Sequence, residues 1–241
     1  MEAIAQKQVV KAILLINPSN PLGDIYSADL LQEIFSFSHE YVTNHISLSS
    51  SLFFIMILLH IPNMDVYLER IKLTFFYGIS KDFSIAGLRI GAIHTECKPL
   101  QNCLKQLSIF QNIPYPVMDI AAKFVEDLDW CKRYLFINQQ RLSEKFKQTA
   151  DRARKMGLNV RESEAGFFLW LDFRPICGSE SFAQERDFFL YLMEKARLYI
   201  VPGEELFCAQ PGWFRLSFSS NPDHVDEGNI FDVIEEKEIQ C

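Results

Sequence analysis

The sequence lacks any cysteine arrangement typical of a metal site or a disulfide-rich fold. Its six cysteines lie at positions 97, 103, 131, 177, 208 and 241, and none forms a CxxC pair or a cluster with histidine. No secretory signal pattern stands at the first residues. We therefore expect no metal and reduced thiols in a cytoplasmic protein, with several cysteines packed as small apolar side chains.

An excess of positive charge is also missing. The chain has 24 lysines and arginines against 31 acidic residues, a net charge of −7. This balance argues against nucleic acid or an anionic membrane as a partner. The 241 residues contain no internal repeat and no low-complexity linker, and they are enough to bury a core in one large or two small domains.

One segment approaches the length of a membrane span without reaching it. Ile46–Ile61 contains an unbroken apolar run from Leu52 to Leu59, but its other positions include four serines and a histidine. A spanning helix needs ~20 mostly apolar residues. A buried strand or helix is the favoured interpretation, and membrane association is the alternative.

The first half of the chain alternates apolar runs with polar turns. Val9–Ile16 predicts a buried strand, Asn17–Gly23 a loop of turn residues, and Ser27 the N-cap of a helix with an apolar face at Leu30, Leu31, Ile34, Phe35 and Phe37. Further strands are predicted at Lys72–Ile79 and Leu88–His94. Strand, loop and helix in this order begin a βα unit, so we expect an α/β domain with a mainly parallel sheet over residues 1–125.

The second half predicts a smaller α+β domain over residues 126–241. A helical pattern from Ile120 to Met156, interrupted near Tyr134, ends at Gly157 and joins the two domains. The remaining predicted elements are three strands and one helix. In chain order they are Gly166–Phe173 (strand), Phe182–Arg197 (helix), Leu198–Val201 (strand) and Trp213–Ser219 (strand).

Three polar features stand out against these elements. The Asn17–Gly23 loop follows a buried strand, where open α/β sheets bind ligands, although turn chemistry alone also explains it. Lys81 follows another strand and has Arg89 downstream between two glycines, whereas a single lysine is usually a solvated surface charge. Arg215 interrupts an aromatic strand; a substrate carboxylate would be a natural partner, and a solvent-facing position is the alternative.

Taken together, the motifs resemble the class I/II aminotransferases, which are fold-type-I pyridoxal-phosphate enzymes, and among them the 1-aminocyclopropane-1-carboxylate synthase-like branch. The matching segments, from about Ile13 to Phe218, are NPSNPLG (17–23), SKDFSIAGLRIG (80–91), RLSEKF (141–146), AGFFLWLDF (165–173) and VPGEELFCAQPGWFRLSFS (201–219). The resemblance implies the large cofactor-binding domain of that fold in part, followed by its small domain. It also implies a homodimer and a missing N-terminal portion.

The resemblance also implies roles for individual residues. Lys81 would bind pyridoxal 5′-phosphate through a Schiff base and then act as general base on an α-amino acid, in transamination or in a synthase-type elimination. Asn20 would donate to the phenolic oxygen of the cofactor, while Arg89, together with Ser80, would hold its phosphate. Arg215 would bind the substrate α-carboxylate.

The sequence departs from the family at several positions. The family has an aspartate that pairs with the pyridine nitrogen, expected here near Leu48, yet no acidic residue lies between Glu40 and Asp65. Gly78 replaces a serine or threonine, and Ser84 replaces a glycine. These departures leave two alternatives open: a catalytically inactive relative, or a truncated or splice-variant product in which the stretch from Tyr41 to Tyr67 has been replaced.

Overall fold

The computed structural model describes residues 12–41, 45–50, 73–178, 180–195 and 198–219. These residues form two compact units. The first contains residues up to 18 together with 25–136, and the second contains residues 19–24 together with 137 onwards. The segment that carries Asn20 thus belongs to the second unit, although the strand before it belongs to the first. The sequence-based domain boundary near residue 125 stays a prediction.

The first unit is built on a four-stranded sheet. Its strands are β1 (Ala12–Asn17), β2 (His45–Ser50), β3 (Thr74–Gly78) and β4 (Gly91–Thr95), in the order β1-β2-β3-β4. The first three are parallel and β4 is antiparallel to β3. Because parallel strands end at the same edge, Asn17, Ser50 and Tyr77 lie on one row near that edge. The expected α/β class with a mainly parallel sheet is confirmed.

Helix α1 (Ala28–Tyr41) begins as predicted. The Ser27 hydroxyl accepts a hydrogen bond from the Leu30 backbone N–H at 3.2 Å, which is N-cap geometry. Leu31 and Phe35 are fully buried, whereas Leu30 is 41% exposed. Leu30 was therefore wrongly predicted to belong to the core-facing side of the helix. The buried residues Leu31 and Phe35 are four positions apart, which is the spacing of one helix face.

Two predicted boundaries in the first unit were wrong. The residues from Leu88 to Ile90 are not a strand, because a 3₁₀ turn at Ala86–Leu88 ends with Arg89 in the left-handed region (φ 54°). The helical pattern breaks at Asp127 instead of near Tyr134. The Asp127 carboxylate accepts the Trp130 backbone N–H at 2.8 Å and so caps a new helix. The helices that follow β3 in this unit are α2 (Ile79–Asp82), α3 (Lys98–Ser108), α4 (Tyr115–Glu126) and α5 (Leu128–Lys155).

The second unit has an antiparallel sheet. Its strands are β5 (Asn159–Val160), β6 (Phe168–Asp172), β7 (Val201–Pro202) and β8 (Trp213–Ser217), in the order β5-β6-β8-β7. Its helices are the end of α5, the short α6 (Arg174–Cys177) and α7 (Phe182–Lys195). The predicted strand Leu198–Val201 was wrong in extent, because only Val201 and Pro202 pair with β8.

Aromatic packing forms the core of this second unit. Phe173, Phe188 and Phe214 contact one another with ring centroids 5.2–5.7 Å apart. Ala150 and Ala153 of α5 are fully buried in the same cluster. Gly157 follows α5 with φ 81°, the left-handed C-terminal position predicted for it.

Among the described residues, no helix is long and apolar enough to cross a membrane. The segment Ile46–Ile61 belongs only in part to this description, because His45–Ser50 form β2 while 51–72 lie outside the described residues.

Candidate functional site

The Asn20 loop is closed on itself by Ser19 and Asp24. The Ser19 backbone N–H donates to the Asp24 carbonyl at 2.9 Å, and the Asp24 backbone N–H donates to the Ser19 hydroxyl at 3.0 Å. The Gly23 N–H donates to the Ser19 carbonyl at 3.0 Å. A short loop of this kind fixes the backbone on both sides of Asn20.

The same loop is tied to the segment before β6. The Gly23 carbonyl accepts the backbone N–H groups of Glu164 at 3.2 Å and Ala165 at 3.0 Å. Gly23 has φ 72°, and a Cβ atom there would collide with the Ser163 side chain and the Ala165 carbonyl. Only glycine therefore fits at this position, for reasons of both conformation and space.

Arg215 of β8 reaches the loop directly. Its Nη1 donates to Asn20 Oδ1 at 2.9 Å, and its guanidinium lies 4.4 Å from the centroid of the Phe168 ring. Asn20 is exposed and Arg215 is half-buried. The neighbouring Phe214 is fully buried on the opposite side of the strand. Arg215 is therefore partly accessible to solvent, and its guanidinium also donates to one specific partner, the Asn20 side-chain amide.

A residue that sequence reasoning missed supports the start of β8. Glu185 on α7 is fully buried, and its carboxylate accepts the backbone N–H of Gly212 at 2.5 Å and that of Glu204 at 2.9 Å. The Gly212 carbonyl accepts the Phe173 N–H at 2.8 Å. Glu185 thus stabilises the turn at Gly212, which precedes the strand that contains Arg215. The only available signal was an acidic residue on the core-facing side of a helix whose neighbours at the same spacing are apolar.

Lys81 lies in α2, the single helical turn that follows β3. Its side chain is exposed, while Ile79 before it and Phe83 after it are buried. Phe83 stacks on Tyr134 (5.7 Å) and on Trp130 (6.3 Å), and the Tyr134 hydroxyl donates to the Phe83 carbonyl at 3.1 Å. The turn is therefore fixed at both ends by core packing, and the lysine projects from it.

Two buried polar atoms lie at the edge of the sheet where this turn begins. Asn17 is 1% exposed; its Oδ1 accepts the Tyr26 N–H at 3.0 Å, and its Nδ2 has no partner among the described residues. The Tyr77 hydroxyl is buried without a partner of good hydrogen-bond geometry there. Burial, followed by the nearby Asp82 carboxylate, raises the pKa of Tyr77 well above its usual value, so the phenol stays protonated.

Arg89 and Ser84 both adopt left-handed backbone conformations. Ser84 has φ 55° at the position where the family usually has glycine, so this chain keeps a glycine-like conformation with a serine. The Arg89 side chain is exposed, and its Nη1 donates to the Ala86 carbonyl at 3.1 Å. One of its five donors is thus used locally.

The predicted site residues fall into two groups. Ser80, Lys81 and Arg89 belong to the first unit, whereas Asn20 and Arg215 belong to the second, where they form a hydrogen-bonded pair. No group of His, Cys, Asp or Glu side chains within the described ranges could hold a metal ion.

Comparison with solved structures identifies the fold. The aromatic aminotransferase from Pyrococcus horikoshii OT3 matches all of this chain with a TM-score of 0.76 at 20% identity, over 64% of its own length. The aspartate aminotransferase from Thermotoga maritima matches 98% of the chain with a TM-score of 0.72 at 23% identity, over 59% of its length. The described architecture is therefore that of the aminotransferase fold, in part.

Comparison of sequences then gives the family. The model for aminotransferase class I and II matches residues 1–228. The chain is 30% identical over 229 residues to 1-aminocyclopropane-1-carboxylate synthase 4 of Arabidopsis thaliana, and 28% identical over 218 residues to the corresponding synthase of Vigna radiata. These alignments cover 90% and 87% of the chain and 48% and 59% of the relatives. The chain belongs to the class I and II aminotransferase family and is similar to its 1-aminocyclopropane-1-carboxylate synthases.

The chain spans about half the length of these curated relatives. Family membership brings pyridoxal 5′-phosphate as the cofactor, and one matched structure, an aminotransferase from Clostridium difficile 630, is described as PLP-bound. The side chains of the predicted site suit most functional groups of pyridoxal 5′-phosphate. They include an amine that can react with its aldehyde, a guanidinium that can bind its phosphate and an amide that can donate to its phenolic oxygen. They do not supply the carboxylate for the ring nitrogen on β2, whose sequence HISLSS has no acidic residue.

Proposed function

We propose that this chain is a pyridoxal-phosphate-binding, aminotransferase-like protein acting on an α-amino acid, either as a transaminase or as a 1-aminocyclopropane-1-carboxylate synthase-like lyase. The observation that carries the proposal is the hydrogen bond from Arg215 to Asn20. It joins a cation suited to a substrate carboxylate with an amide suited to a phenolic oxygen.

The direction of this hydrogen bond assigns the two atoms of the Asn20 amide. Because Oδ1 accepts from Arg215 Nη1, Nδ2 is the atom left to donate, and a phenolate oxygen is a matching acceptor. Arg215 has five N–H donors and uses one for Asn20, so its remaining donors can bind a carboxylate in the forked geometry that guanidinium prefers.

Lys81 is the proposed attachment point and proton carrier. Pyridoxal phosphate, when bound, supplies an electron sink for charge that develops at the substrate α-carbon. The Lys81 amine would take the substrate α-proton at Nζ as general base. Arg89 and Ser80, which flank Lys81 in the sequence, hold the phosphate, and the exposed Arg89 guanidinium supports this assignment.

The second candidate function is a binding protein without catalysis. The observation that favours it is β2, which lies between β1 and β3 and carries no acidic residue at or near Leu48. Losing a charged hydrogen-bond partner commonly costs ~2–5 kcal/mol, which corresponds to a loss of about 30-fold to a few thousand-fold in function. Such a chain would bind the cofactor through Lys81 and turn over amino acids slowly or not at all.

We also propose a homodimer in the cytoplasm. None of the five described cysteines is in a disulfide, which suits a reducing compartment. Phe110 and Tyr115 are 89% and 85% exposed in the first unit, and exposed aromatic side chains are typical of association surfaces. Size-exclusion chromatography with light scattering tests the assembly.

Cofactor trapping tests the proposed function. The purified chain is mixed with pyridoxal phosphate, reduced with borohydride and mapped by peptide mass spectrometry. We expect a single adduct on Lys81 that is lost in Lys81→Ala and kept in the matched exposed variant Lys105→Ala. Scattered labelling of lysines, or none, would contradict the proposal. A Lys81 adduct without turnover of any amino acid would favour the binding protein.

A further inference from the structure

We propose that Asp24 and Arg161 form a positioning pair that holds the Asn20 loop in place, so that the Asn20 amide stays bonded to Arg215. The proposal rests on the proposed function for the use of Asn20 and Arg215, but the geometry on which it depends lies wholly within the second unit. Neither Asp24 nor Arg161 belongs to the motifs that carry the family resemblance.

The contact between the two side chains is a forked ion pair. Arg161 Nη1 donates to Asp24 Oδ1 at 2.8 Å and Nη2 donates to Asp24 Oδ2 at 3.1 Å. Arg161 Nη1 also donates to the Leu22 carbonyl at 3.1 Å. The guanidinium therefore binds both a side chain and the backbone of the loop, and this combination restricts the orientation of the loop more than a single ion pair would.

The position of Arg161 in the sheet explains why it acts on the same loop as Arg215. The Arg161 N–H donates to the Trp170 carbonyl at 2.9 Å, and Trp170 is the cross-strand partner of Arg215. Arg161, Trp170 and Arg215 thus occupy one row across the sheet. Two strand spacings of ~4.8 Å separate the arginines. One arginine binds the loop at Asp24 and Leu22, and the other binds it at Asn20.

The pair suits positioning better than stability. The Arg161 and Asp24 side chains are 35% and 42% exposed, and ion pairs at such exposure contribute little to folding. Its removal should therefore leave the unit folded while loosening the loop. Gly23 lies close to Ser163 and Ala165, but Asn20 is three residues before it. The Arg161 guanidinium binds Leu22, which lies between Asn20 and Gly23, and Asp24, which follows Gly23.

The test measures the rate at which phenylglyoxal modifies Arg215 in the cofactor-free protein, with the modified residue identified by peptide mapping. The variants are Asp24→Ala, Asn20→Ala and the double variant. Asp24→Glu tests rescue by a second carboxylate. Asp151→Ala is the matched control, because it removes an acidic partner of another arginine, Arg154, in the same unit.

We expect Asn20→Ala to raise the Arg215 rate about five-fold, the factor that corresponds to one ordinary hydrogen bond. Asp24→Ala should raise the rate at least two-fold, and the double variant should react no faster than Asn20→Ala. Asp24→Glu should restore most of the wild-type rate. Asp151→Ala should leave the Arg215 rate unchanged. The modification rate of Arg89 should be the same in every variant as in wild type.

Three results would overturn the proposal: an unchanged Arg215 rate in Asp24→Ala, additive effects in the double variant, or a parallel rise at Arg89, which would indicate general loosening. No cofactor is present in this measurement. A failure of Lys81 trapping would therefore contradict the proposed function while leaving the positioning pair to be decided by the Arg215 rates alone.

Discussion

Arg215 Nη1 lies 2.9 Å from Asn20 Oδ1, although 195 positions separate the two residues in the chain. The bond joins β8 to the Asn20 loop, and both belong to the second unit. Because the loop is also tied to Arg161 and to the backbone at Glu164 and Ala165, Asn20 has little freedom to leave Arg215.

Replacing Arg215 should weaken the binding of amino acids. We expect Arg215→Ala to lower the affinity for an α-amino acid by about 10–100-fold, because a hydrogen bond to a charged group contributes ~1.5–3 kcal/mol. Spectroscopic titration of the cofactor-loaded chain measures the affinity. The control is Arg186→Ala, which removes an exposed arginine paired with Glu204. Equal affinities in wild type and Arg215→Ala would show that the carboxylate binds elsewhere.

Replacing Glu185 should destabilise the protein. Glu185→Ala leaves the buried N–H of Gly212 and the partly buried N–H of Glu204 without their acceptor, and each such loss costs ~1–3 kcal/mol. We expect the free energy of unfolding, measured with urea, to fall by ~2–6 kcal/mol, the sum of the two losses. Glu194→Ala, an exposed acidic residue on the same helix, is the control and should change it by less than ~0.5 kcal/mol. Similar losses in both variants would contradict the bracing role.

The Asp172 carboxylate should make stability depend on pH. Burial alone would raise the pKa of Asp172, but hydrogen bonds from Arg174 and Asn159, with the charge of Arg174, lower it below its usual value. A group with a lowered folded-state pKa stabilises the protein above its unfolded pKa of ~3.9, and that contribution is lost as the pH falls through the folded pKa.

Wild type should therefore lose stability on acidification below about pH 4–5 more steeply than Asp172→Asn. Thermal unfolding between pH 3 and 7 measures the slope. The control is Asp151→Asn, whose carboxylate is 66% exposed and which should keep the wild-type slope. Identical slopes for wild type and Asp172→Asn would refute the prediction.

Ser84→Gly should stabilise the first unit. Ser84 has φ 55°, a conformation that costs an L-residue roughly 1–2 kcal/mol. Glycine removes this strain, but its more flexible unfolded state offsets part of the gain in stability. We expect a net gain of ~0.5–1 kcal/mol by urea unfolding. Ser84→Ala keeps the strain and is the matched control. A loss of stability in Ser84→Gly would mean that the serine side chain makes a contribution larger than the strain.

Local sequence signals were sufficient where a short segment sets its own structure. Ser27 before an apolar face predicted the start of α1, Gly157 predicted the end of α5, and the apolar run before Asn17 predicted β1. Capping, left-handed glycine and hydrophobic periodicity act over a few neighbouring residues, so the sequence alone contains the information.

One misplaced boundary, the break in the helical pattern predicted near Tyr134, arose because a side chain makes a contact that periodicity does not encode. Asp127 ends one helix and caps the next, which moved the break away from Tyr134. Tyr134 instead stacks on Phe83, 51 positions earlier in the chain. The alternation of side chains along the strand could not decide whether Arg215 binds a ligand or faces solvent. Strand periodicity predicts the face on which a residue lies but not the groups that it contacts there.

The sequence by itself determined the family and the residue types of the candidate site, because motifs in order carry that information over most of the chain. Only the tertiary structure decided that Asn20 bonds Arg215, that Arg161 binds Asp24, and that Glu185 braces the turn before β8. The physical reason is that each of these contacts joins residues far apart in the chain. Their geometry depends on the register of β6 against β8 and on the packing of α7, which no local pattern specifies.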